Sequence, residues 1–273
     1  NKSNLYFNLI INLNVLLFFS ILPIQLINYI YLIYITLLIF VFKNYFLNLR
    51  NDSKNLSFLN ILIFFSIYFV ISIDVSAKLN LSWDSKWFWY IKSLFFYQDN
   101  TFHELSTYTY NDFHPHFGSY VWAFFRKLSI NGYEYYGRLF YVFLYLVSIT
   151  AIVNNLFKKK IYNVLFFSII VILHYKYYYL SGLQEILLFS ILILTSKFIY
   201  DLLNSKGDLN LLFIGLSLNL IIWTKAEGIA FFFIALICLN LIKNISLSQK
   251  LKFSAFMIFL LGFKIYIFSA YNI

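Results

Sequence analysis

The sequence predicts an all-α, polytopic membrane protein with about nine transmembrane helices. Hydrophobic residues make up 62% of the 273 residues and charged residues only 12%, whereas soluble domains carry roughly 25% charged residues. The mean hydropathy of +0.76 belongs to the same class. The single cysteine excludes a disulfide framework and gives no zinc-binding pattern. Because the chain begins at Asn1 and stops inside an apolar run, we expect it to be a fragment.

Apolar runs account for the predicted helices. A helix that crosses a bilayer needs about 17–25 largely apolar residues, and nine runs reach or approach that length. They are Leu5–Leu22, Ile24–Phe42, Leu56–Ile73, Leu139–Phe157, Ile161–Tyr175, Ile186–Leu203, Leu209–Trp223, Ile229–Ile242 and Phe253–Ile273. Only the turn at Pro23 separates the first two. No repeat or flexible linker divides the chain, so residues 1–273 are expected to form a single membrane domain.

Basic residues set the orientation. Alternating spans place most of the inter-span lysines and arginines on one face, which the positive-inside rule assigns to the cytoplasm. These residues are Lys43, Arg50, Lys54, Lys158, Lys159, Lys160, Lys206, Lys243, Lys250 and Lys252. The net charge of +10 is therefore explained by topology, and we expect no nucleic-acid partner.

The outer face receives residues 74–138, the loop His174–Glu185 and the turn Thr224–Gly228. Within residues 74–138, the stretches Trp83–Phe96 and Phe117–Leu128 are rich in aromatic residues with cations interspersed. This composition predicts helices lying in the membrane interface on either side of a polar loop. All four histidines and several acids also fall on this face, which indicates an outward-facing site.

Asp84 is the candidate catalytic residue. A carboxylate near the interface can act as a general base, because partial burial raises its pKa toward the working range. Lys92 follows it in the same aromatic segment as a candidate substrate-binding cation. The structural alternative is a helix start at which Ser82 or Asp84 serves as the N-cap.

His114 and His116 flank Pro115 and are candidate substrate-binding residues. Proline is common in the first turn of a helix, so a simple helix entry is the alternative. No further cysteine or carboxylate completes a metal-binding spacing. A contact with phosphate or carbohydrate is therefore favoured, and no metal ligands are assigned.

Glu185, Lys225 and Glu227 complete the candidate site. Glu185 opens a predicted span, where the helix dipole alone would favour an acid. Lys225 and Glu227 lie in a break between two apolar runs. They could pair with each other, or Lys225 could bind an anionic phosphate.

Two further charged groups lie within predicted spans. Lys197 and Asp201 can pair at i,i+4 and need no function. Lys264 is a functional candidate, although its side chain could equally extend toward the interface.

In order and spacing, the motifs from Trp83 to Gly228 resemble the GT-C superfamily of glycosyltransferases that use polyprenyl-phosphate sugars. This group includes protein O-mannosyltransferases and the lipid A aminoarabinose transferase. The matching stretches are Trp83-Asp84-Ser85 with Trp89 and Lys92, His114-Pro115-His116-Phe117, Leu183-Gln184-Glu185, and Thr224-Lys225-Ala226-Glu227-Gly228. The last of these is the most specific.

The chain departs from the family pattern at four positions. His116 stands where the family often has an acid, and Gly118 replaces a proline. Glu185 replaces an aspartate, and Ala226 replaces an asparagine. Three predicted spans precede Asp84, whereas better-known members have one, and an odd number in either case leaves the acid on the outer face.

The resemblance implies an inverting sugar transfer at the outer leaflet. Asp84 would deprotonate an acceptor hydroxyl, while Lys225, Arg138 or Lys92 would stabilise the departing lipid phosphate and His114 would hydrogen-bond a substrate. The implied donor is a polyprenyl-phosphate-linked sugar, and the acceptor is a glycan, a lipid or a protein. A divalent metal is not favoured. The implied location is a bacterial inner membrane, with the site facing the periplasm or the exterior.

Two other classes of function stay open. A transporter or flippase of lipid-linked saccharides would place ionisable residues near the bilayer midplane and would show paired repeats. A non-catalytic membrane scaffold would use the outer segment to bind a partner. The gathering of polar groups at one surface favours the enzyme.

Overall fold

The computed structural model describes residues 4–23, 58–77, 81–108, 114–129, 131–153, 156–157, 160–178, 181–204, 208–242 and 245–273. Within these ranges the chain is all helical, as predicted. The α-helices are α1 (Asn4–Ser20), α2 (Phe58–Ala77), α3 (Ile91–Tyr97), α4 (Leu105–Tyr108), α5 (Phe117–Leu128), α6 (Tyr135–Val153), α7 (Lys160–Tyr178), α8 (Glu185–Asn204), α9 (Asp208–Thr224), α10 (Gly228–Leu241) and α11 (Leu247–Ala270).

Eight of the nine predicted apolar spans coincide with helices α1, α2 and α6–α11. The ninth, Ile24–Phe42, lies outside the described residues. Within the described residues, three helices, α6, α8 and α11, are long and apolar enough to cross a membrane. The structure thus supports a helical membrane protein, while nine crossings stay a prediction.

Helices α6, α8 and α9 form the centre of the bundle. Helix α8 packs between α6 and α9, and α1 packs on the far side of α9. Asn219 in α9 donates a hydrogen bond to the Asn14 side chain in α1 at 3.0 Å, and Asn14 donates to the carbonyl of Leu216 at 3.1 Å. Such amide pairs hold apolar helices together where burial provides little driving force.

Helices α2, α7, α10 and α11 surround this centre and expose apolar side chains such as Phe69, Leu173 and Ile237. Exposed faces of this kind suit contact with lipid. Asp74 of α2 accepts a hydrogen bond from Tyr175 of α7 at 2.5 Å, so the two peripheral helices are joined directly.

Helix α5 has the predicted bounds, Phe117–Leu128, but a different environment. Every residue from Phe117 to Phe124 is buried against α3, α6 and neighbouring helices. The Ser119 hydroxyl donates to the carbonyl of Trp89 at 3.0 Å. The aromatic rings of its first two turns therefore pack against other parts of the protein, and the position of this helix at headgroup depth stays a prediction. Tertiary packing provides a better-matched apolar surface than the interface does.

The aromatic residues in the segment before α3 also differ in their exposure. A π-helical turn, Ser85–Tyr90, continues directly into α3. Trp89 is buried, whereas Trp83 and Trp87 are exposed. Only these last two tryptophans are therefore placed to act as interfacial anchors. The predicted polar loop after α3 contains a 3₁₀ turn, Phe102–Glu104, and the short helix α4.

Candidate functional site

Asp84 lies immediately before the π-helical turn, and its side chain is exposed. It does not cap this turn. The cap is Ser82, whose hydroxyl accepts a hydrogen bond from the main-chain N–H of Ser85 at 3.2 Å and contacts the Ser85 hydroxyl at 2.7 Å. Of the two N-cap candidates, Ser82 is thus the one used. Among the described residues, no hydrogen bond or ion pair engages the Asp84 carboxylate. Because π-helical turns occur frequently at functional sites, this position suits a reacting group.

A main-chain hydrogen bond joins the Asp84 segment to the loop before α8. The N–H of Ser82 donates to the carbonyl of Ser181 at 3.1 Å. The next residue, Gly182, has φ +69°, and a Cβ there would lie 2.7 Å from the ring of buried Trp122. Glycine therefore allows the loop to pass close over Trp122. This contact brings the chain segments that carry Asp84 and Glu185 side by side.

His114 lies among the charged candidates. Its ring centroid is 5.1 Å from that of Phe88 and 5.8 Å from that of Trp89. Burial lowers the pKa of His114, and the nearby Lys92 lowers it further, against smaller opposing effects of acids that include Asp84. The ring is therefore neutral at pH 7, so one ring nitrogen donates and the other accepts. His114 can hydrogen-bond either to a hydroxyl or to a phosphate oxygen.

Lys92 is almost fully buried, with 1% of its surface exposed. Its ammonium group donates to the main-chain carbonyl of His114 at 2.7 Å. A side chain held in this way cannot reach a lipid headgroup without giving up that hydrogen bond. The structure therefore places Lys92 as a residue that positions the His114 turn.

His116 points into the protein and is fully buried. Its Nε2 lies 2.8 Å from the hydroxyl of Ser20, which donates its only hydrogen to the carbonyl of Leu17 at 2.7 Å. Nε2 must then carry the proton and donate to Ser20. Because His116 is buried, it is not placed to bind substrate as predicted. Its hydrogen bond to Ser20 joins the start of α5 to α1.

The surroundings of His116 keep it neutral. No described residue hydrogen-bonds to its Nδ1, and its ring centroid lies 4.0 Å from that of Phe102 and 5.6 Å from that of Trp223. Burial lowers the pKa of His116 well below its usual value, and the charges of Lys92 and Lys264 lower it further. Among the described residues, no acid contributes a compensating effect.

Lys225 connects two acids at the break between α9 and α10. Its Nζ lies 2.6 Å from Oε1 of Glu185 and 3.5 Å from Oε1 of Glu227. Burial lowers the pKa of Lys225, but the hydrogen bond that Lys225 donates to Glu185 and the charges of both acids outweigh burial and raise the pKa overall. Lys225 therefore stays charged at neutral pH. The second Glu185 oxygen is buried and has no hydrogen-bond partner among the described residues.

The sequence suggested the weaker of these two pairs. Lys225 and Glu227 are neighbours in the chain, whereas Glu185 lies 40 residues away. Only the prediction that both regions lie on the outer face indicated that Glu185 and Lys225 could meet.

Two other cations have structural partners. Arg138 forms a bidentate ion pair with Glu134, in which Nε donates to Oε1 at 2.9 Å and Nη2 donates to Oε2 at 2.8 Å. The Arg138 side chain is only 2% exposed. It is therefore not available to a lipid phosphate. Lys264 is also buried, and it donates to the carbonyl of Ile222 at 2.6 Å. The predicted pair of Lys197 and Asp201 is present.

One residue that supports the candidate site, the buried amide Gln184, was not predicted from the sequence. Gln184, immediately before Glu185, donates to the hydroxyl of Tyr141 at 3.0 Å, and that hydroxyl donates to the carbonyl of Gly118 at 2.5 Å. This network ties the starts of α5 and α8 to α6. In the sequence, Glu185 was identified as a candidate site residue, but the adjacent Gln184 was not.

The described ranges contain no group of three histidine, cysteine or acidic side chains that could hold a metal ion. The chemistry available in them is that of an exposed carboxylate, a neutral imidazole and a charged lysine. Comparisons with models of protein families, with curated proteins and with solved structures find no match for this chain.

Proposed function

We propose that this protein is an integral membrane glycosyltransferase. It transfers a sugar from a polyprenyl-phosphate donor to an acceptor hydroxyl at the outer leaflet, with inversion at the anomeric carbon. The observation that carries the proposal is the state of Asp84. It is an exposed carboxylate that caps no helix and takes part in none of the described ion pairs. It also adjoins a segment that contains neutral His114, so it is available to accept a proton.

The proposed reaction moves one proton and exchanges one bond. Asp84 takes the proton of the acceptor hydroxyl as the acceptor oxygen attacks the anomeric carbon. The bond from that carbon to the phosphate oxygen breaks, and the electron pair leaves with the lipid phosphate. Lys225, which carries a positive charge beside Glu185, offsets the growing negative charge of the leaving group.

The proposed donor and location follow from the membrane setting. Exposed Trp83 and Trp87 provide aromatic surfaces at the Asp84 segment, and aromatic rings favour headgroup depth. A bacterial inner membrane, with the site facing the periplasm or exterior, fits the distribution of basic residues. The acceptor could be a glycan, a lipid or a protein, and the reaction as proposed needs no metal ion.

The transport alternative gains less support. Its most suggestive residue is Lys264, which lies within α11. Because this lysine binds the carbonyl of Ile222, it lies at the end of α9 that leads into Lys225. It belongs to the same end of the bundle as the candidate site and not to a separate midplane site.

Asp84→Asn tests the proposed base. We expect about a 100- to 10,000-fold loss of transfer, the usual contribution of general-base catalysis. The assay follows release of polyprenyl phosphate from a panel of polyprenyl-phosphate hexoses and pentoses, with membrane extract as the acceptor source. Asp99→Asn is the matched control, because Asp99 lies in the same outer segment but pairs with Lys127 at 2.6 Å. Full transfer by Asp84→Asn would exclude Asp84 as the base.

A further inference from the structure

We propose that Glu227 occupies the position of a phosphate group when the site is empty, and that a phosphate-bearing ligand binds by displacing Glu227 from Lys225. The inference rests on the proposed function for its donor substrate, and it adds how the site selects and admits that substrate. It treats the two acids around Lys225 as unequal: Glu185 holds the lysine in place, and Glu227 can be exchanged.

The two ion pairs differ in distance and burial. The Glu185 contact is 2.6 Å long, joins two parts of the chain that are far apart, and has a carboxylate side chain that is 38% exposed. The Glu227 contact is 3.5 Å long, and that carboxylate is 63% exposed. An exposed pair near the limit of contact contributes little stability, because water solvates both charges. Glu227 can therefore rotate into solvent at little cost in free energy.

The charges around Lys225 explain how the displacement of Glu227 favours an anionic ligand. One lysine faces two carboxylates, so the local group carries a net negative charge that repels an incoming anion. When Glu227 moves away, Lys225 and Glu185 are balanced, and the lysine regains a donor for a new acceptor. A phosphodiester carries one negative charge, as a carboxylate does, and a phosphate monoester carries more, so either can replace the weak Glu227 contact with charge-assisted hydrogen bonds from Lys225. Neutral molecules gain nothing from the exchange.

The ion pair between Glu185 and Lys225 holds the ammonium group in place while Glu227 is exchanged. Glu185 is the first residue of α8, and Gln184 before it is buried and bonded to Tyr141. The Glu185 carboxylate therefore cannot move far, and it holds the ammonium group at one position. Glu227, in contrast, lies in the turn that precedes α10 and makes no cap with its side chain.

Glu227→Gln tests the inference through binding alone. The full chain is placed in phosphatidylcholine nanodiscs, and the probe is a radiolabelled polyprenyl phosphate, with the uncharged polyprenol as its comparison. We expect Glu227→Gln to bind polyprenyl phosphate about three- to tenfold more tightly, as loss of a weak competing pair and one repelling charge predicts. Binding of polyprenol should not change.

A second variant shows whether Lys225 is the group that is competed for. In a Lys225→Gln background, Glu227→Gln should give no gain, because the cation that both anions share is absent. Asp99→Asn controls for a general loss of negative charge from the outer face. The inference is overturned if Glu227→Gln leaves the affinity for polyprenyl phosphate unchanged, or if Asp99→Asn tightens binding equally.

Two further arms identify the source of the phosphate. If inorganic phosphate at millimolar concentration displaces the probe from Glu227→Gln, the phosphate group alone is sufficient for binding. If it does not, while nanodiscs containing phosphatidylglycerol do reduce probe binding, the site takes its phosphate from a lipid. Either result supports a phosphate-binding site at Lys225, and competition by neither would contradict it. Because these measurements need no turnover, loss of the binding gain refutes the exchange, whereas full transfer by Asp84→Asn refutes only the proposed base.

Discussion

Replacing Gly118 by alanine tests the buried contact between α5 and α8. A Cβ at this position would lie 1.4 Å from Oε1, 2.3 Å from Cδ and 3.0 Å from Nε2 of Gln184. Gln184 is itself fully buried and shares hydrogen bonds with Tyr141. The new methyl group can therefore enter only if the Gln184 side chain leaves its position and gives up those bonds.

The expected cost follows from these contacts. A buried amide that loses its partners costs about 1–3 kcal/mol, and overpacking of a filled core costs about 1–3 kcal/mol. Alanine regains at most about 1 kcal/mol over glycine within a helix. We therefore expect Gly118→Ala to lower the free energy of unfolding by about 2–3 kcal/mol, or the melting temperature by roughly 5–10 °C for a chain of this size.

The second half of the test uses Gln184→Ala. The three nearest heavy atoms that the new Cβ would meet all belong to the Gln184 side chain. In the Gln184→Ala background, Gly118→Ala should thus be neutral or stabilising by up to about 1 kcal/mol. The assay is thermal unfolding in detergent micelles followed by circular dichroism, for both single variants and the double variant. Effects that add to within about 0.5 kcal/mol would show that the two residues do not interact and that the described packing is wrong.

The remaining predictions concern two buried charged or titratable groups. The pKa of His116 is lowered in the folded protein, so below pH 6.5 the unfolded chain takes up a proton that the folded one does not, and stability falls by about 1.4 kcal/mol per pH unit. His116→Gln should flatten this acid dependence in melting curves between pH 7 and 5, and an unchanged slope would assign it elsewhere. Glu134→Gln leaves the buried Arg138 charge without its carboxylate and should cost about 3 kcal/mol. The matched change Asp201→Asn, in a more exposed i,i+4 pair, should cost less than about 1 kcal/mol, and equal losses would refute the distinction.

Much of the helical framework could be predicted because apolar runs of a given length have few alternatives to a helix. The bounds of α5, Phe117–Leu128, followed from an aromatic segment between a proline entry and a polar exit. Its surroundings did not follow from that pattern. A helix rich in Phe and Trp suits either a membrane interface or a packed core, and only the positions of α3 and α6 decide between them.

The candidate site was predicted in part for the same reason. The distribution of charges predicted which residues share one face, and Glu185 and Lys225 do meet. The direction of each side chain could not be predicted, because it depends on partners far along the chain. His116 turns inward to Ser20, which is 96 residues away, and Lys92 turns to a main-chain carbonyl that carries no sequence signal.

The hydrogen bond between Ser20 and His116 has a consequence for the order in which the helices can assemble during synthesis. It joins the end of α1 to the entry of α5, so α1 cannot make this contact until 96 further residues have been made. The Glu185–Lys225 pair forms later still, after α8 and α9 have both emerged. Asp84 is therefore synthesised long before Lys225. A nascent chain stalled before Lys225 would lack the cation that pairs with Glu185, so the proposed chemistry would require synthesis through α9 and the turn that follows it.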